Sequence, residues 1–144
     1  MLSILYTEID DIKKLKKSVQ SFLDNVYDIN FLEFIFVTKK FTKEIDALKI
    51  NCKYVVIEDE KKSVDDCLQN ICGEWFWVVN ENLILNTKNF DLIFDYYETG
   101  IIFGMLDSKL PIVNVETYKK NSNEYSEQDM HRENYLRFVV ENIK

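Results

Sequence analysis

An α/β fold in three layers, a mostly parallel sheet with helices on both faces, is what this sequence predicts. From the N-terminus, short apolar runs alternate at least three times with segments whose apolar residues recur every three or four positions, the pattern of βαβ crossovers. The runs are nearly continuous in apolar side chains, as expected of strands covered on both faces. The 144 residues include only 3 Gly and 1 Pro, so no flexible linker is expected, and a single domain over 1–144 can bury a core without a disulfide or metal staple.

Leu2–Tyr6 is the first apolar run. Thr7 and Asp10 then make a variant of the capping box, and Ile9, Ile12, Leu15, Val19, Phe22, Leu23 and Val26 follow at helical spacing. The basic run at 13–17 lies opposite that apolar stripe and reads as a solvated helix face. Residues 31–37 (FLEFIFV) predict a second strand, 41–48 a short helix, and Lys53–Ile57 (KYVVI) a third strand. A charged loop at 58–62 leads into a helix over 63–72, with Ser63 as N-cap, Asp66 three residues on, and Gly73 as its stop. Residues 74–79 predict a fourth strand. Trp75 and Trp77 share its parity, so they should lie on one face, with Phe76 and Val78 on the other. Beyond it the pattern predicts a helix over 87–97, strands over 101–106 and 112–115, a polar loop over 119–126 and a closing helix over 127–143.

The net charge of −7 and the pI near 4.8 argue against nucleic acid or an anionic membrane as the main partner. Cys52, Cys67 and Cys72 are odd in number, contain no C-x-x-C pair and lie in apolar context. Reduced core thiols in a cytoplasmic protein are therefore expected, rather than a disulfide framework or a zinc site. The N-terminus turns acidic too early for a signal peptide, and no apolar run approaches a membrane span.

Three stretches, taken in order, carry a resemblance. They are the strand–helix LSILYTEIDDIKKLKKSVQSFLDNVYD, the strand NFLEFIFVTKK, and GEWFWVVNENLIL after a third strand and a short helix. Over about residues 1–90 this order is similar to the nucleotide-sugar half of a family-2-type glycosyltransferase with the GT-A fold. Ser18-Val19-Gln20-Ser21-Phe22-Leu23 and Tyr27 match that family's first helix, and Gly73-Glu74-Trp75 matches the lead-in to its metal-binding strand. The resemblance implies the strand order third, second, first, fourth. It also implies transfer of a sugar from a nucleotide-sugar donor to an acceptor hydroxyl, with Mn²⁺ or Mg²⁺ in an active enzyme. Thr7 and Glu8 would lie near the nucleotide, Asn80 and Asn82 near the diphosphate, and Asp129 would be the catalytic base, with Glu127 second.

The departures fall at functional positions. Leu5-Tyr6-Thr7 keeps the family's threonine without its proline, and Val37-Thr38-Lys39 stands where the family places acids that hold base and ribose. Asn80-Glu81-Asn82 replaces the Asp-x-Asp metal motif, and the chain as given leaves little room for an acceptor-binding half. Hard divalent cations favour anionic oxygen, which Asn does not supply. Glu81 is the one carboxylate left for a metal, and strand alternation would aim it away from its neighbours. The cluster therefore reads either as a degenerate ligand site or as a polar turn. Lys39 and Lys40 read either as a metal-free diphosphate site at the strand ends or as a solvated turn. Asp129 and Glu127 read either as a catalytic base or as an acidic first turn complementing a helix dipole, and His131 has no evident partner in sequence. The alternative function is a catalytically inactive GT-A-like domain, a pseudoenzyme acting as a binding or assembly module for a protein partner.

Overall fold

A computed structural model describes residues 1–60, 62–86, 88–92, 101–102 and 112–115. Its strands are β1 (Leu2–Tyr6), β2 (Leu32–Val37), β3 (Lys53–Ile57), β4 (Trp75–Val79), β5 (Ile101–Ile102) and β6 (Ile112–Asn114). They form one sheet in the order β3-β2-β1-β4-β6-β5. The first four run parallel, and β6 pairs antiparallel with both β4 and β5. The α/β fold with a mostly parallel sheet and the order third, second, first, fourth are both found. The register sets Ile4 beside Phe34 and Trp77, and Leu5 beside Ile35 and Val78.

Strand alternation divides the core in two. On one face Leu2, Ile4, Tyr6, Phe34, Phe36, Trp75 and Trp77 pack with Leu15, Val19 and Phe22 of α1 (Ile12–Asn25) and Ile45 of α2 (Thr42–Asp46). On the other, Leu5, Ile35, Val37, Phe76 and Val78 pack with Val64 and Cys67 of α3 (Val64–Cys67) and with Leu68. Both tryptophans thus lie on one face and Phe76 and Val78 on the other, as their parity requires. Phe22 meets Phe34, Trp77 and Phe90 edge-on, with centroids 6.1, 5.5 and 5.9 Å away. Edge-to-face geometry sets the positive ring rim against the negative ring face. The buried Tyr6 hydroxyl shares a 2.7 Å hydrogen bond with Ser18 Oγ, and burial pushes its pKa up. The lysines at 13–17 are exposed, as the amphipathic pattern predicts.

Two helix boundaries differ from the sequence pattern. The first helix is capped by Asp11, whose carboxylate accepts from Lys13 N and Lys14 N, and not by a Thr7–Asp10 box. Glu81 Oε2 accepts from the Asp10 and Asp11 amides and holds them outside the helix. The segment expected as a helix over 63–72 is capped by Ser63 as predicted, but it tightens into a 3-10 turn at Leu68–Asn70 and ends there. The Cys72 amide is drawn away to Glu33 Oε1, at 2.9 Å. Gly73 is therefore not the helix stop. Its role is close approach, since a Cβ there would stand 2.6 Å from Ser3 Oγ and 2.7 Å from Met1 O. Most of the helix expected over 87–97, most of the strand over 101–106, and the loop and helix over 119–143 lie outside the described residues.

Candidate functional site

Parallel pairing brings the carboxyl ends of β1 to β4 to one edge, where open α/β sheets hold their ligands. Thr7, at the end of β1, is buried, and Glu8 beside it is exposed. After β2, Thr38 is buried, its amide donates to Ile57 O at 3.0 Å, and its Oγ1 accepts from Phe41 N at 3.2 Å. That turn leaves Lys39 and Lys40 exposed, with Lys40 Nζ 5.2 Å from the Phe41 ring centroid. A cleft of about 330 Å³ opens here, lined by Ile9, Asp10, Val37, Thr38, Lys39, Lys40 and Glu60. The sequence marked Asp10 only as part of a helix cap and Glu60 only as part of a charged loop, because a cleft wall depends on which loops the strand order makes adjacent. A smaller cleft of about 190 Å³ lies between α1 and the segment entering β3.

After β4, Asn80 Oδ1 accepts from Asn82 N at 2.9 Å, and Leu83 N donates to Asn80 O at 3.1 Å. This is an Asx-type turn, in which the side chain supplies the acceptor for the reversing backbone. Asn80 and Asn82 are exposed, while Glu81 is buried and its Oε2 accepts from Asp10 N at 3.0 Å and Asp11 N at 2.9 Å. The Glu81 charge thus meets the two amides that lead into α1, close to the positive end of its dipole. Among the described residues, no three His, Cys, Asp or Glu side chains gather as metal ligands. The edge brings together Thr7, Glu8, Lys39, Asn80, Glu81 and Asn82. Asp129, Glu127 and His131 lie outside the described residues.

A second polar group lies toward the opposite, amino edge of the sheet. Ser3, Glu33 and Lys53 are register partners across β1, β2 and β3. Ser3 Oγ donates to Glu33 Oε1 at 2.9 Å, as does Cys72 N, and Gly73 N donates to Ser3 Oγ at 3.3 Å. Lys53 Nζ donates to Cys72 Sγ at 2.8 Å and stands 3.7 Å from Glu33 Oε2. The signal in sequence is Glu33 itself, a lone charge inside the apolar run FLEFIFV.

This is an α/β fold of the kind found in glycosyltransferases of GT-A type. No protein-family model and no curated protein matches the sequence. Among solved structures the chain is similar to S. aureus TarS, a glycosyltransferase. With TarS 1-349 in complex with UDP the TM-score is 0.63 at 13% identity, over 93% of this chain and 53% of that one. With TarS 1-349 alone it is 0.62 at 13%, over 84% and 49%. With the UDP-GlcNAc complex it is 0.55 at 14%, over 71% and 33%. The likeness is one of fold, and the chain spans about half the length of TarS 1-349 or less. No helix among the described residues is long and apolar enough to cross a membrane.

Proposed function

We propose that this chain is a glycosyltransferase-like domain that holds the nucleotide part of a nucleotide-sugar donor at the carboxyl edge of its sheet, without a divalent cation. The observation that carries the reading is the open cleft at the ends of β1, β2 and β3, with two exposed lysines on its rim. It lies on a fold similar to that of a glycosyltransferase solved with UDP and with UDP-GlcNAc. Two ammonium groups can meet a diphosphate where no metal bridges it. The residues after β4 do not fit a metal. Asn80 Oδ1 is used in the turn, Asn82 offers only a neutral carbonyl, and Glu81 Oε2 is taken by two amides. If sugar transfer occurs, a carboxylate must take the acceptor proton, and Asp129, with Glu127 second, is the base that the resemblance implies.

The same turn favours a second reading, a catalytically silent module that binds or assembles, because an Mn²⁺- or Mg²⁺-dependent transferase would need anionic ligands there. Thermal melts with UDP, GDP and CDP, each with and without Mn²⁺, separate the readings. Ligand at about 100 times its Kd stabilises the fold by roughly 2.7 kcal/mol. That is a melting shift of very roughly 5–10 °C for a domain of this size. The expected result is a shift with nucleotide that Mn²⁺ does not enlarge and that Lys39→Ala reduces. A shift seen only with nucleotide and Mn²⁺ together would restore a metal centre and sink the metal-free site. No shift with any nucleotide would favour the silent module.

A further inference from the structure

We infer that Cys72 and Lys53 form an oxidation-driven covalent clamp, an S–N bond made when hydrogen peroxide oxidises the thiol. The site lies toward the amino edge of the sheet and is separate from the cleft at the carboxyl edge. Cys72 is exposed, so an oxidant reaches it, whereas Cys67 is buried and burial pushes the half-buried Cys52 thiol up to about 11. Lys53 Nζ stands 2.8 Å from Cys72 Sγ, so bond formation requires only a short closing movement of a half-exposed, flexible side chain.

Glu33 is a second polar group at this cluster, and its Oε1 already accepts from Ser3 Oγ and Cys72 N. It is 1% exposed, and its Oε2 accepts no hydrogen bond among the described residues although it faces Lys53 Nζ at 3.7 Å. A buried carboxylate oxygen without a hydrogen bond is costly unless a charge or a proton comes to it. Here it is placed to receive the proton that the ammonium must lose before its nitrogen can attack.

The reaction takes two balanced steps. The Cys72 thiol releases its proton, its sulfur attacks one peroxide oxygen, the O–O bond breaks, and the departing hydroxide takes up the released proton, leaving sulfenic acid and water. Sulfur loses two electrons and peroxide gains them. The neutral Lys53 amine then attacks the sulfenic sulfur, the S–O bond breaks, and the departing hydroxide takes the amine's second proton as water. In sum, thiol, amine and one peroxide give the S–N bond and two waters. The hydrogen bond to Cys72 is the largest influence raising the Lys53 pKa, ahead of Glu33. Oxidation of the sulfur to neutral sulfenic acid removes that support, so the first step prepares the amine for the second.

The test is intact-mass analysis and peptide mapping of the full chain after equimolar hydrogen peroxide, with and without dimedone to trap sulfenic acid. The expected product is lighter by two hydrogens, maps to a link between residues 53 and 72, and reverts with dithiothreitol. Dimedone adduct at Cys72 should be scarce in the wild type and several-fold greater in Lys53→Met. Lys53→Arg keeps the positive charge and, with it, the rate of Cys72 oxidation, yet should form no link and should trap dimedone as Lys53→Met does. Lys53 is exposed on an edge strand, so both variants should keep the native circular dichroism. Equal dimedone trapping in wild type and both variants would overturn the clamp. So would sulfinic acid at Cys72, or oxidation of Cys52 ahead of Cys72.

Discussion

Glu81 joins the turn after β4 to the entrance of α1 across 70 and 71 residues of sequence. Two amides donating to one carboxylate oxygen are charge-assisted bonds, each stronger than a neutral one. Glu81→Ala removes both and leaves two part-buried amide donors without that acceptor. The expected cost is about 2–3 kcal/mol in urea unfolding, with Glu81→Gln losing less because an amide oxygen still accepts. If both variants unfold at the wild-type midpoint, the carboxylate is free for another role, and a metal site at this turn returns to consideration. Titration at Cys52 makes a further prediction. Its thiol would ionise near 9.0 when unfolded but only near 11 when folded, because burial disfavours the charged form. The unfolded chain therefore holds fewer protons over that window, and stability falls as pH rises through it. Tyr6, also raised by burial, acts in the same direction above its ordinary range. Melting midpoints from pH 8 to 11 should fall, about 9 being where the loss begins, and Cys52→Ala should flatten the early part of the fall. A midpoint that rises with pH would contradict the burial of both groups.

At the scale of elements, α1 is held to the sheet by the Phe22 ring, which touches residues of β2, β4 and the segment after β4. Phe22→Ala should cost about 3–5 kcal/mol, because the vacated volume lies between a helix and a sheet that cannot collapse together freely. Tryptophan emission can follow the unfolding, since Trp75 and Trp77 are 4% and 0% exposed and should resist iodide until the fold opens. Strong iodide quenching in the native wild type would place both indoles at the surface and undo the packing of this face. The helical spacing made α1 legible from sequence, but not its first turn. Asp11 caps the helix because Glu81, remote in sequence, holds the preceding amides. The short helix α3 was legible at Ser63 and misread at its end, because Glu33 draws off the Cys72 amide.

Across the whole molecule, parallel pairing collects the ends of four strands, so residues far apart in the chain share one edge. Lys39 and Lys40 stand on the rim of a cleft there, and the nucleotide melts proposed above are the measurement that belongs to this scale. The amino edge carries a different set, Ser3, Glu33, Lys53 and Cys72, joined across three strands and the loop before β4. The two edges therefore offer separate chemistries, and Lys39→Ala should leave the Cys72–Lys53 reaction unchanged.

Apolar period and strand parity are local properties of the chain, and they were enough to reveal the alternation of strands and helices, the two-sided burial of the sheet and the shared face of Trp75 and Trp77. Even the absence of carboxylates at Asn80 and Asn82 could be read directly. The fate of Glu81 could not, since a buried carboxylate takes whichever donors the fold brings to it, and the Asp10 and Asp11 amides arrive only when β1 and β4 pair. Glu33 could be seen as a lone charge in an apolar strand, but its partners Ser3, Lys53 and Cys72 are set by lateral register. Register depends on how whole strands bury their faces together, and no short window of sequence contains that information.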